Sequence, residues 1–276
     1  MHASSRSAME ASRESLLAHT SGARSRTRGD ALLTLADELF SVAHVLDGTL
    51  PLRRAVADAS VRPEDRAGLV RRLLSTKVGP DTLEVLETVA RQRWSRPLDL
   101  VEATETLAIE AALDAADARG ELDGVEDELF RFSRIISGDD DLARILGNRS
   151  APREGKAALL DRLLSGKVSP VTERLVRNTL TSSHVSSAEN EIERLSTMAA
   201  RRRGRSVAHV TTAVPLTATQ ETRLVATLER LYGRTMGLQV QVDPAVLGGL
   251  VIRVDDEVID GSIAHRLEAA GRRLAG

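Results

Sequence analysis

The chain has 276 residues, a formal net charge of -2, 42% hydrophobic and 28% charged residues, and no cysteine. A length like this holds roughly two domains of about 150 residues each and buries a sizeable core without covalent staples. The missing cysteines exclude disulfide scaffolds, thiol nucleophiles, thiolate zinc sites and iron–sulfur clusters, and the near-neutral charge gives no global pull toward nucleic acid. Aromatic residues are only 2%, so the core must be built from Leu, Val, Ile and Ala, and few platforms exist for stacking bases. Among 38 basic residues, lysine occurs only at Lys77, Lys156 and Lys167.

No window approaches 18 uncharged apolar residues, so no membrane-spanning helix is expected. The Ser- and Arg-rich start predicts a mobile tail over 1–12, and Leu16–Leu17–Ala18 is too short for a secretory core. Asp30 is positioned to cap a helix whose Leu32, Leu35, Ala36, Leu39, Ala43 and Leu46 share one face and which ends at Gly48. Pro51 and Pro63 stand at first helical positions. Breaks follow at Gly79–Pro80 and Ser95–Arg96–Pro97. An Ala-rich helix is predicted over 98–119, ending at Gly120, with further helices over 124–137, 141–146, 152–164, 170–182 and 187–203.

At Gly204 the pattern changes. Alternation predicts a strand over 207–214, followed by a helix over 218–232. Strands are expected over 238–243 and 249–254. A short strand, 257–259, pairs back across Asp255–Asp256, and Ser262 caps a last helix, 263–274. The fold class expected is mainly α: two tandem helical bundles, the second with six helices, followed by a small α+β domain. The expected boundaries are 1–12 for the tail, 13–104 and 105–204 for the bundles, and 205–276 for the last domain.

The tandem arrangement rests on an internal repeat. Asp37–Glu38–Leu39–Phe40 recurs as Asp127–Glu128–Leu129–Phe130, and AGLVRRLLSTKVGP (67–80) recurs as AALLDRLLSGKVSP (157–170), both at an offset of 90. Gly48, Leu52 and Arg54 match Gly138, Leu142 and Arg144 at the same offset, and Leu17–Ala18 aligns with Leu107–Ala108. A unit of 90 residues is too long for a solenoid repeat and reads as a duplicated helical domain.

Motifs that could carry chemistry are few. Gly248–Gly249 leads into a strand rather than a helix and lacks a following Lys–Ser/Thr, so it reads as a bulge or close backbone approach, not a phosphate loop. Asp255, Asp256, Glu257, Asp260 and His265 form an acidic group without calcium-loop spacing; a solvated turn is the plainer reading, a metal-dependent enzyme the more distant one. Arg201–Arg205 fits either a nucleic-acid patch or the favourable basic end of a helix capped by Gly204. No serine lies in a strand–elbow–helix context. No catalytic residue, no cofactor and no metal are expected.

The stretch from Val242 onward nevertheless has a specific character. Val242–Asp243–Pro244, Gly248–Gly249 and Ile259–Asp260–Gly261–Ser262–Ile263 stand in the order found in one family, with Val207–Val210 and Ala213–Leu216 ahead of them. The chain over roughly 105–276 resembles the delta subunit of F-type proton-translocating ATP synthases, the oligomycin-sensitivity-conferring family, in a long form like that of actinobacteria. Residues 1–104 then look like a second, degenerate copy of the family's helical domain. The resemblance implies a non-catalytic part of the peripheral, stator stalk, held at the cytoplasmic face of the cell membrane through the complex. Its implied partners are the N-terminal helices of the alpha subunits and the b subunit of the stalk, with no nucleic acid. It also implies a partner groove between the first and fifth helices, for which Leu107, Ala111, Leu175, Asn178 and Thr179 are the candidates, unless they are plain bundle core. The family motif residues are Asp243, Pro244, Gly248, Gly249, Asp260, Gly261 and Ser262. The alternative reading is a helical adaptor or a nucleic-acid-associated scaffold acting through Arg201–Arg205.

Overall fold

The computed structural model describes residues 3–21, 24–205, 207–232, 236–243, 248–254 and 257–260. Within them lie α1 (Ala3–Thr20), α2 (Arg26–Gly48), α3 (Leu50–Ala57), α4 (Pro63–Leu74), α5 (Pro80–Arg91), α6 (Pro97–Arg119), α7 (Leu122–Ser137), α8 (Asp140–Gly147), α9 (Arg153–Leu164), α10 (Pro170–Leu180) and α11 (Ala188–Arg205). The remainder comprises β1 (Val207–Thr212), α12 (Ala218–Tyr232), β2 (Gly237–Val242), β3 (Leu250–Val254) and β4 (Glu257–Asp260). The fold is mainly helical with a small mixed sheet, as the periodicities indicate. α1 and residues 24–200 form one compact unit; the chain from Arg201 onward belongs to a second.

The repeat is visible in the elements. α3, α4 and α5 begin at 50, 63 and 80; α8, α9 and α10 begin at 140, 153 and 170. The polar devices repeat too. Glu38 accepts hydrogen bonds from the Gly79 amide (3.0 Å) and the Thr82 hydroxyl at the start of α5. Glu128 accepts from the Ser169 amide (3.0 Å) and the Thr172 hydroxyl (2.6 Å) at the start of α10. In each copy a carboxylate satisfies amide and hydroxyl donors at a helix N-terminus, where the helix dipole also favours negative charge. The turns ahead of α4 and α9 match as well: Ser60 donates its amide to Asp58 Oδ1 and Ser150 donates to Asn148 Oδ1, both at 2.9 Å.

The two copies are not two bundles. One continuous apolar core runs from Ala8 to Ala199, and α6 lies at its centre. Leu100, Val101, Ala103, Leu107, Ala108, Ala111, Ala112, Ala115 and Ala116 are all fully buried and take up more than half of the helix's circumference, while Glu102, Thr106, Glu110 and Asp117 form a half-buried polar stripe on the remaining side. A helix with so broad an apolar face is one that several neighbours enclose. α6 stands sixth in the first copy and first in the second. The expected boundary at 104/105 therefore falls inside a buried helix that both copies use. Small residues bring α2 and α6 close: a Cβ on Gly29 would lie 2.2 Å from Arg119 Cγ and 3.1 Å from the Ala115 carbonyl.

The N-terminus also departs from expectation. Residues 3–12, read as a tail, are the first turns of α1. The signal missed was a stripe of small residues: Ser5, Ala8, Met9 and Ser12 are buried. Ser5 donates to the buried Asp99 carboxylate at 2.7 Å and accepts the Ser95 amide at 2.9 Å. Burial pushes the Asp99 carboxyl up, but donation from Ser5 and Arg96 outweighs it and holds the group below the usual carboxylate range. α2 likewise begins four residues before Asp30, with Ser25 as its cap.

The second unit is a four-stranded sheet in the order β2-β1-β3-β4. β1 and β2 are parallel and joined through α12; β3 runs antiparallel to both β1 and β4. Ala208, Val210, Leu228, Ile252 and Val254 form its core. The strands, α12 and the β3–β4 pairing agree with the sequence reading, except that β1 stops at Thr212. The last helix expected, 263–274, lies outside the described residues.

Because the two carboxylate devices are equivalent, Glu38→Ala and Glu128→Ala should each cost about 1–3 kcal/mol, the range for leaving buried donors unsatisfied. Urea unfolding of the full chain measures this, and a loss at one site only would contradict the equivalence.

Candidate functional site

Of the five groove candidates, four are buried: Leu107, Ala111 and Leu175 completely, and Thr179 at 4% exposure. Asn178 is half-buried, and its side-chain amide donates to the Arg174 carbonyl at 2.9 Å. The structure places them together, but beneath another helix rather than along an open groove. α2 lies against α6 and reaches both α10 and the turn that follows it. Arg174 Nε donates to both Asp37 oxygens at 3.0–3.1 Å. The Ser183 amide and hydroxyl donate to Asp47 at 3.0 and 2.7 Å. The first copy thus supplies the helix that covers the α6–α10 face of the second. The repeated Asp–Glu–Leu–Phe segment concealed this, because identical residues take different partners. Asp37 pairs across to Arg174 while Asp127 pairs with Arg131 on its own helix.

What stays open on this side is a polar depression of about 770 Å³ between α2, α9 and α10, with Asp37, Asp161, Arg153, Arg174 and Arg177 on its walls. Its charges are of both signs, and Arg177 faces Asp161 at 3.3 Å. Such a surface suits polar contact with a protein better than capture of one small ion.

Beside it, three groups missed by sequence reasoning close the end of α10. Glu105 accepts from the Ser182 hydroxyl at 2.6 Å, and its other oxygen lies 3.1 Å from His184 Nε2. The hydrogen bond to Glu105 raises the imidazole above its ordinary value; partial burial opposes this, and the charges of Glu105 and Asp47 reinforce it. The only sequence signal was the run Thr–Ser–Ser–His at a helix end.

In the second unit, Gly248 and Gly249 carry φ of 70° and 81°, left-handed values that favour glycine, immediately before β3. Their role is the entry turn of a strand, as expected, with no helix N-terminus for a phosphate. The Asp243 amide donates to the Thr212 carbonyl at 2.9 Å, tying the end of β2 to β1. Asp260 pairs with Val251 at the end of β4. Pro244, Gly261, Ser262, Asp255, Asp256 and His265 lie outside the described residues. Among the described residues no cluster of acidic and histidine side chains could hold a metal. The basic run Arg201–Arg205 continues α11, whose backbone passes through Gly204 instead of stopping there.

Residues 109–274 match the family profile described as ATP synthase delta (OSCP) subunit. The chain is 48% identical over 276 residues to ATP synthase subunit delta of Streptomyces griseus, covering 100% of both chains. It is 49% identical over 275 residues to the same subunit of Streptomyces coelicolor, covering 100% of this chain and 98% of that one. Against the subunit of Nocardia farcinica it is 44% identical over 277 residues, with 100% of both covered.

The His184–Glu105 pair gives the helical unit a pH dependence of definite sign. A base whose native pKa is raised contributes fully below its unfolded value, about 6.5 for histidine, and loses that contribution as pH rises through the native value. Stability of the full chain should therefore fall as pH rises from about 6.5, and His184→Gln should flatten that fall. An unchanged slope in the variant would contradict the pairing.

Proposed function

The chain belongs to the ATP synthase delta (OSCP) subunit family, and from that membership we infer that it is the non-catalytic delta subunit of an F-type proton-translocating ATP synthase, in the peripheral stalk between catalytic head and membrane sector. The observation that carries this reading is the end-to-end match to actinobacterial delta subunits, which includes the first helical copy and not only the family's usual span.

The work of such a subunit is mechanical. It resists the torque that turns the rotor, so it needs stiffness and several simultaneous attachments rather than a reaction centre. A single core through eleven helices supports the first need. Linked contacts support the second, since each bound module raises the effective concentration of the next. The helical unit would grip N-terminal helices of the alpha subunits, a helix-on-helix mode of recognition, and the sheet unit would hold the end of the b subunit. With α2 across the α6–α10 face, an alpha-subunit helix would meet the bundle on a different face from the one first expected. No described helix is long and apolar enough to cross a membrane, so attachment at the cytoplasmic face would come through the complex.

Affinity purification of the tagged chain from detergent-solubilised native membranes tests the reading. Co-purification of alpha, beta and b subunits in an ATP-hydrolysing complex is expected. Recovery of the chain without them, or with nucleic acid that moderate salt releases, would overturn it.

A further inference from the structure

The first copy contains an apolar cavity of about 180 Å³ at the edge of the core, away from the α6–α10 contact. Five helices, α2 through α6, build it, with Leu46, Val56, Val70, Leu86 and Leu100 on its walls. The Thr104 hydroxyl in the wall already donates to the Leu100 carbonyl at 2.8 Å, so no buried polar group there demands a water. The cavity opens to solvent between Val45, 52% exposed, and Leu73, 42% exposed, with Lys77 at the rim. Large side chains half in water around a dry cavity are an exposed apolar patch with a hole at its centre, and such patches mark interaction sites.

Volume decides what enters. Pockets for drug-sized molecules run to about 300–1,000 Å³, so this one is too small for a cofactor or a lipid chain. A cavity of about 150 Å³ takes a benzene ring, so 180 Å³ fits one large apolar side chain. A ring or isobutyl group alone gains little free energy on binding; the same group on a helix is supported by the surrounding contact and acts as its anchor.

Charge narrows the partner further. Lys77 is exposed and makes no ion pair among the described residues. It is also one of three lysines in a chain whose other basic residues are all arginine, and a second lysine, Lys167, stands at the equivalent position of the other copy. There Ile135, the counterpart of Val45, is likewise exposed, at 55%. Arginine would serve equally on a merely solvated surface, whereas a compact ammonium with three donors can meet a single carboxylate at a rim.

We propose that the cavity beneath Val45, Leu73 and Lys77 receives a large apolar side chain from an amphipathic helix of another chain, with an Asp or Glu within one helical turn of that side chain paired to Lys77. This extends the stalk reading by giving the first copy a contact of its own, and it is tested within the assembled enzyme.

A photo-crosslinking amino acid replaces Leu73, and separately Val45, in the tagged full-length chain, and the purified ATP synthase is irradiated. The expected result is an adduct to a different chain, mapped by peptide mass spectrometry to a helical segment with a large apolar residue and an acidic residue one turn apart. Adding Lys77→Glu should lower the adduct yield at least fivefold. An intact enzyme with no adduct, an adduct to a second copy of this chain, or a yield indifferent to Lys77→Glu overturns the proposal, and each leaves the family reading standing because the enzyme was recovered.

Discussion

Everything in the helical unit depends on one packing constraint: α6 buries all of its surface but one half-buried polar stripe. A helix with alanine and leucine around most of its circumference cannot be left at the edge of a bundle, because each exposed apolar face would cost the burial that holds the chain together. The duplication meets this constraint by sharing the helix. The first copy packs α1, α2, α3 and α5 against it; the second packs α7 and α10. Gly29, Ala36, Ala108, Ala111 and Ala115 let backbones approach closely, so the α2–α6 contact is the most extensive between any two described helices. Polar links then fix the angle at which the copies meet, through Asp37 with Arg174 and Asp47 with Ser183.

That arrangement bears on function. Two bundles on a flexible connection would let a stalk twist under load. Two copies sharing a central helix transmit force through close-packed side chains, and interiors of that density have low compressibility. The sharing also accounts for the burial of Leu107, Ala111 and Leu175, since helices of both copies pack around α6. New contacts must then use other faces, and the cavity under Val45 and Leu73 is one that the duplication left open.

The sequence disclosed most of the fold for a physical reason. Helix periodicity, proline at helix starts and the alternation of β2 and β3 are local signals, and all were legible. The offset of 90 was legible because the repeated segments carry caps and core positions together. Three features were hidden. The first turns of α1 bury Ser5, Ala8 and Ser12 around a single Met9, so that part of its stripe has little hydropathic contrast. The sharing of α6 could not be read from the breadth of its apolar face, which says that it is buried but not by which neighbours. The burial of Leu107, Ala111 and Leu175 depends on packing between the copies, which also brings together Asp37 and Arg174, 137 residues apart. The family resemblance supplied the function, and no periodicity or spacing would have done so.

Native-state hydrogen exchange of the full chain under increasing denaturant tests the shared core most directly. Amides of α2, α6 and α10 should open together, in one cooperative unit with one free energy and one dependence on denaturant. If α7–α10 stay protected while α1–α5 exchange at markedly lower denaturant, the copies are separate bundles and α6 is not their common centre.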